Sequence, residues 1–181
     1  MFHFLSISNL NTSKGTFVLL DAAEVLLKQT ADFHVHFVGA PTAEISEERM
    51  LHEISSRGLQ KVVTYHGRQY GEDKEARFAE ADCFVHPTLD DCFPLVILEA
   101  MQHSLPVIST TVGAIPDMVI DGETGMVVPV NNALSLASSL DKLMKNPNLV
   151  ILYGDAGQHM LQEYYTCNIF ENCMLHLLGE N

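Results

Sequence analysis

The sequence has little positive charge and no tryptophan. Only 10 of its 181 residues are Lys or Arg, against 23 Asp and Glu, so the formal net charge is −13. A protein that binds nucleic acid or an anionic membrane surface needs a basic stripe or patch, and this composition offers none. We therefore predict no nucleic-acid partner and no direct membrane contact, and any anionic ligand would need a locally built site.

Paired cysteines and long apolar runs are absent as well. The chain contains no Cys-x-x-Cys pair among its cysteines, which are Cys83, Cys92, Cys167 and Cys173. A chain of this length can bury a core without disulfides, so we expect free thiols in a cytoplasmic protein. No segment approaches the roughly 20 apolar residues of a membrane span.

The start of the chain lacks the basic region of a signal peptide. Residues 1–5 instead run straight into an apolar, strand-like segment. We therefore expect the chain to be one part of a longer protein.

Several catalytic signatures are missing too. The sequence has no Gly-x-Ser-x-Gly, no His-Glu-x-x-His, no Walker loop and no Gly-x-Gly-x-x-Gly run. Its nine histidines are scattered, although His34 and His36 alternate on one predicted strand face and could form a metal pair or simply be packed or solvated. We predict no metal site and no cofactor.

What the sequence does contain is a regular alternation of short apolar runs and helical patterns. Strands are predicted at 2–8, 33–38, 61–65, 83–87, 106–110 and 125–128, and helices at 14–28, 43–57, 73–80, 94–103, 115–120, 133–145, 148–164 and 167–178. Repeated strand–helix–strand units build a parallel sheet covered on both faces. The predicted fold is a Rossmann-like, doubly wound α/β domain with six parallel strands.

Ligands of such sheets bind at the carboxyl ends of the strands. The loops to consider are therefore 9–16, 39–42, 66–72, 87–93 and 110–114. Glu99 lies in a helix that is apolar all round, which predicts a buried helix and a carboxylate satisfied either by a protein donor or by ligand hydroxyls. Asp90 and Asp91 precede that helix and could cap it or take part in an anion and sugar site.

Three further segments carry weaker signals. Lys14 follows the first strand and could reach a phosphate, or it could be an ordinary surface lysine. The glycine turn at 110–117 could add backbone N–H groups at the same edge. Residues 66–68 could flank a flat base.

The run from Asp91 to Met101, DCFPLVILEAM, continues through LPVI at 105–108, VGAIPD at 112–117 and DGETG at 121–125. This ordered string resembles the C-terminal domain of retaining GT-B glycosyltransferases of the large group 1 type, numbered family four. The hallmark of that family is a pair of glutamates with seven residues between them, and the resemblance covers essentially the whole chain. It implies the C-terminal half of a GT-B fold, with the acceptor-binding N-terminal domain absent from residues 1–181.

The resemblance also implies roles for individual residues. Glu99 would take the ribose hydroxyls of a nucleotide, Asp91 the donor-sugar hydroxyls, and Lys14 would neutralise the diphosphate. The implied reaction moves a glycosyl group from a UDP-, GDP- or ADP-linked sugar to an acceptor with retention, usually without a metal, and the whole protein could sit at a membrane through its other domain. Further nucleotide- and sugar-binding positions are expected at Asn9, Gly15, His66, Gly67, Arg68, Thr88, Cys92, Phe93, Pro94 and Leu95.

Some positions depart from the family pattern. Asp91 replaces a longer Glu, Cys92 replaces a Gly, and Asn9 stands where Arg is frequent; Ser104 and Asp117 differ as well. A non-catalytic nucleotide-sugar binding module is therefore the alternative to an active enzyme, with an epimerase or an unrelated doubly wound protein as a third reading. We also expect that this chain alone cannot turn over.

Overall fold

Six parallel strands form one sheet, and its order follows the predicted doubly wound topology. The structure, a computed structural model, describes residues 1–179; Glu180 and Asn181, the end of the predicted domain, lie outside the described residues. The sheet order is β3-β2-β1-β4-β5-β6. The strands are β1 (Phe2–Ile7), β2 (Phe33–Val38), β3 (Val63–Tyr65), β4 (Cys83–His86), β5 (Val107–Thr110) and β6 (Gly125–Val128).

Helices cover both faces of the sheet. They are α1 (Thr16–Leu27), α2 (Glu47–Ser56), α3 (Gly71–Glu80), α4 (Leu95–Gln102), α5 (Ile115–Met118), α6 (Ala133–Met144), α7 (Pro147–Tyr164) and α8 (Cys167–Leu178). One core cluster joins α1, α2 and α6 to the sheet, and a second joins α3, α4 and α5 to its other face. The predicted fold class, a doubly wound parallel sheet, is confirmed.

The central strands are buried on both sides, as their apolar sequences predict. Every residue of β4 and of β5 is buried. The two core clusters take alternate residues of these strands, with Val85 in one and Phe84 in the other. Both faces of the sheet therefore contribute to the hydrophobic stabilisation.

Two helices, α1 and α2, begin at least two residues later than predicted, and local backbone geometry explains both differences. A 3-10 turn occupies Thr12–Lys14, and Gly15 then adopts a left-handed φ of 75°, so α1 starts only at Thr16. The Ser46 side chain accepts a hydrogen bond from the Arg49 N–H, which makes Ser46 the N-cap of α2.

The prediction that α4 is a buried helix is wrong. Only one stripe of α4 is buried, made of Ile97, Ala100 and Met101. Leu95 is 66% exposed, and the Glu99 side chain is 43% exposed. The reason is that α4 packs on the sheet and on α7, while Leu95 in its first turn stays exposed and Glu99 meets Lys74 of α3.

Within residues 1–179, no helix combines the length and apolarity that crossing a bilayer requires.

Candidate functional site

The loops after β1 and β4 lie side by side, because these strands are neighbours in the sheet. Chain order reverses direction at this pair of strands, which is where doubly wound sheets bind ligands. The Ser13 carbonyl accepts a hydrogen bond from the Leu89 N–H at 2.7 Å. A Cβ on Gly15 would lie 2.0 Å from the Pro87 carbonyl oxygen, so only glycine lets the two loops approach this closely.

Lys14 and Asp91, both predicted as site residues, meet at this junction. Lys14 Nζ donates to Asp91 Oδ2 at 2.7 Å and to the Asp90 carbonyl oxygen at 3.3 Å. His86 Nε2 lies 3.2 Å from the same Asp91 oxygen. Because an ionised carboxylate only accepts hydrogen bonds, His86 Nε2 carries the proton and its Nδ1 does not.

The charges of this cluster follow from its contacts. Partial burial of Asp91 disfavours its negative charge, but the hydrogen bonds from Lys14 and His86 outweigh that effect and lower the pKa of Asp91. Burial lowers the pKa of His86, and its hydrogen bond to Asp91 acts in the opposite direction. The cluster is therefore a Lys14–Asp91 ion pair beside a neutral imidazole near neutral pH.

Glu99 has a partner that the sequence analysis missed. Lys74 Nζ, on α3, donates to both carboxylate oxygens of Glu99 at 2.7 Å. The sequence analysis expected Glu99 to be hydrogen-bonded either by a protein donor or by ligand hydroxyls. The structure supplies a protein donor, and the exposed side of the carboxylate stays open to solvent. In the sequence, the scarcity of lysine and arginine, ten residues in all, was the one signal that could have pointed to Lys74.

The helix that carries Glu99 begins without a side-chain cap. Its N-cap residue is Pro94, whose side chain makes no capping hydrogen bond, so neither Asp90 nor Asp91 caps α4. Phe93 and Leu95 are exposed here, while Pro94 is buried. An uncapped helix start leaves backbone N–H groups that can face an anion.

A cleft of about 140 Å³ opens beside this edge, and its wall includes Asn9, Gly39, Arg68, Tyr70 and Lys74. The Arg68 guanidinium lies over the Tyr70 ring, 5.9 Å from its centroid. Gly67 turns the chain with a left-handed φ of 70°. The two predicted site residues Asn9 and Arg68 thus meet in one cleft.

Other predicted residues shape the loops instead. Thr88 is fully buried, and its hydroxyl lies within hydrogen-bond distance of the Ser13 and Asp90 carbonyl oxygens. Cys92 has an exposed side chain, while its carbonyl oxygen accepts from the Ala114 N–H at 2.8 Å. The Ala114 N–H, one of the groups that the 110–117 turn could add to this edge, is therefore used to hold the loop before α4.

His66, directly after β3, belongs to a row of imidazoles that continues through His36 on β2 to His3 on β1. His3 Nδ1 lies 3.0 Å from His36 Nε2, and His36 Nδ1 lies 2.9 Å from His66 Nε2. Burial, followed by the neighbouring imidazoles, lowers the pKa of His36 to about 4. Throughout residues 1–179, no three His, Cys, Asp or Glu side chains form a group that could hold a metal ion. His34 Nε2 lies 2.8 Å from the Thr64 hydroxyl, and its ring centroid lies 4.7 Å from that of His36.

Comparison with known proteins agrees with this architecture. Residues 2–160 match the family model described as "Glycosyl transferases group 1". A D-inositol 3-phosphate glycosyltransferase from Arthrobacter sp. (strain FB24) is 32% identical over 160 residues, which is 87% of this chain and 37% of that protein. The chain therefore spans just over a third of that relative's length.

Solved structures share the fold. The C-terminal domain of a group 1 family glycosyl transferase (LpcC) from Francisella tularensis superposes with a TM-score of 0.81 at 24% identity, over 91% of this chain and 87% of that one. Anabaena Alr3699/HepE in complex with UDP-glucose superposes with a TM-score of 0.84 at 21% identity, over 98% of this chain and 49% of that one.

Proposed function

The chain belongs to the group 1 glycosyl transferases, and from that premise we propose that it is the donor-binding half of an enzyme that transfers a glycosyl group from a nucleotide sugar. The observation that carries the proposal is the meeting of Lys14, Asp91 and the uncapped start of α4 at the switch point of the sheet. The UDP-glucose complex of the Anabaena protein supports the same class of ligand.

The diphosphate would lie against the start of α4. The free N–H groups at that helix end and the Lys14 ammonium would face its oxygens. As the bond between the sugar's anomeric carbon and the phosphate oxygen breaks, negative charge grows on the departing nucleoside diphosphate. Lys14 and the helix start would stabilise that charge, and Asn9 adds no further cation.

The carboxylates would orient the donor by its hydroxyl groups. Asp91 would accept from the transferred sugar, and Glu99 would accept from the ribose. The hydrogen bonds from Lys14 and His86 both go to Asp91 Oδ2, so Oδ1 could take the sugar hydroxyl, and Lys14 would turn toward the diphosphate. The glycosyl group would reach its acceptor with retained anomeric configuration.

We also assign the remaining contacts to the loops around this edge. Arg68, with His66 and Gly67 behind it, would flank the base at the cleft. The backbone of Cys92, Phe93, Pro94 and Leu95 would line the sugar and the diphosphate. The acceptor domain would belong to the rest of a longer cytoplasmic protein, since the chain covers only 37% of its Arthrobacter relative.

Calorimetric titration of the chain with UDP, GDP and ADP tests the proposal. We expect weak binding of one of them, and Lys14→Ala should reduce its affinity about tenfold, because a charge-assisted contact is lost. Lys61→Ala is the matched control, since Lys61 is exposed and precedes β3 at the opposite edge of the sheet. Absence of heat with all three nucleotides would contradict the site assignment.

A further inference from the structure

The contact between Lys74 and Glu99 bridges two helices beside the cleft. Lys74 Nζ lies 2.7 Å from each carboxylate oxygen, so the ammonium sits symmetrically between them. The Lys74 side chain is 22% exposed and that of Glu99 is 43% exposed. The ammonium also lies 5.8 Å from the centre of the Phe78 ring, which borders it from within α3.

Stability alone is a weak reason for this pair. Half-exposed ion pairs contribute roughly 0–1 kcal/mol to folding, because both ions were well solvated before they met. A different consequence is geometric. A carboxylate has about four lone-pair positions, so a lysine that takes one on each oxygen leaves about two for other donors.

The Lys74–Glu99 pair lies where a ligand could use the free lone pairs of Glu99. Lys74 lines the same cleft as Asn9 and Arg68, at the carboxyl edge of the sheet. Because Lys74 holds both Glu99 oxygens, the remaining lone pairs of that carboxylate keep one orientation. Glu99 can then accept hydrogen bonds from neutral hydroxyls of a ligand.

We propose that Lys74 is a positioning residue that holds the Glu99 carboxylate toward the two vicinal hydroxyls of a ribose, and so favours ribonucleotides over deoxyribonucleotides. The inference rests on the proposed function, in which Glu99 receives the ribose. Lys74 acts through Glu99 and makes no contact with the reacting atoms.

Nucleotides with and without the 2′-hydroxyl separate this role from the alternatives. UDP, GDP and ADP and their 2′-deoxy counterparts are titrated into the wild-type chain and the Lys74→Met variant. For the nucleotide that binds, Lys74→Met should weaken the ribonucleotide about tenfold and the deoxynucleotide less than about threefold, because a carboxylate–hydroxyl contact is already missing in the latter. Lys61→Met should change neither affinity.

A double-mutant cycle with Glu99→Gln gives the second readout. If Lys74 acts through Glu99, the double variant should be no weaker than the worse single variant. Thermal unfolding checks that Lys74→Met is folded, and Lys74→Arg should keep at least part of the ribose preference, because it restores a cation opposite the carboxylate.

Each remaining outcome has a definite meaning. Equal losses for the ribonucleotide and the deoxynucleotide would show that Lys74 acts on the phosphates or the fold, and this would overturn the inference alone. An unchanged ribonucleotide affinity in Lys74→Met would overturn it as well. A wild-type chain that binds none of the nucleotides would overturn the proposed function, and the inference with it.

Discussion

Individual glycines decide how closely the loops around the site approach one another. A Cβ on Gly113 would lie 2.1 Å from the Asp91 carbonyl oxygen, and one on Gly15 would lie 2.0 Å from that of Pro87. Gly67 has a similar left-handed φ but has no atom within 4 Å of its would-be Cβ. Gly15 therefore needs glycine both for its left-handed φ and for its close contact, whereas Gly67 needs it for the left-handed φ alone.

Gly15→Ala and Gly67→Ala form a matched pair of variants. Gly67→Ala should lower the free energy of unfolding by about 1–2 kcal/mol, the penalty of a left-handed conformation. Gly15→Ala should lower it by roughly a further 1–3 kcal/mol, because two backbones must separate. Urea unfolding measures both; equal losses would mean that the loop after β4 yields easily.

At the same scale, the sequence singled out Lys14, Asp91 and Glu99 but not their full sets of partners. His86 stands five residues from Asp91 and Lys74 stands 25 residues from Glu99. Sequence spacing carries no information on such pairs, because it does not say which side of a strand or helix faces which neighbour. Both partners lie on elements that the sequence placed correctly.

Elements were more predictable than contacts. The predicted and observed strands agree to within two residues at each end, because apolar runs and turn residues mark them. The burial of α4 was misjudged, because its apolar residues outnumber those that the sheet and α7 can cover. An apolar side chain that stays exposed looks, in sequence, like one that is buried in a core.

The row of histidines across β1 and β2 makes stability depend on pH. The folded-state pKa of His36 is about 4, below the ordinary value of 6.5, so the unfolded chain binds more protons between these values. Its contribution to stability is complete above pH 6.5 and is lost as the pH falls toward 4. The ionisable groups around it are His3, His34, His66 and Arg77, with Glu80 facing His66.

His36→Asn should therefore lose less stability than the wild type between pH 7.5 and 5. Urea unfolding at the two pH values measures the difference for each protein, and the comparison removes acid effects that they share. His52→Asn is the control, because His52 is exposed on α2. Identical pH dependence in His36→Asn and the wild type would refute the role of His36.

For the whole molecule, the net charge of −13 proved to be no guide to the site. Three of the ten cations, Lys14, Arg68 and Lys74, lie at the carboxyl edge of the sheet. Net charge governs nonspecific partners and solubility, whereas a site depends on charges within a few ångströms. The surplus of acid elsewhere leads us to expect only modest affinity for nucleoside diphosphates.

The chain alone should bind a nucleotide sugar without transferring its glycosyl group, because we propose that the acceptor site belongs to a second domain. The test measures release of nucleoside diphosphate in the presence of candidate acceptors. It compares the chain alone with the longer protein. In the longer protein, Asp91→Ala should abolish transfer. Unchanged transfer in that variant would contradict the role of Asp91, and transfer by the chain alone would refute the need for a second domain.

The sequence by itself determined the elements and the parallel doubly wound sheet. It also determined that Lys14, Asp91 and Glu99 lie on the segments that follow β1 and β4. Periodicity, turn residues and strand–helix alternation act locally, so they can be read along the chain. Only the tertiary structure decided that Lys74 holds Glu99, that His86 supports Asp91 and that His3, His36 and His66 form one row. These contacts depend on strand order and helix orientation, which bring together residues that are distant in the chain.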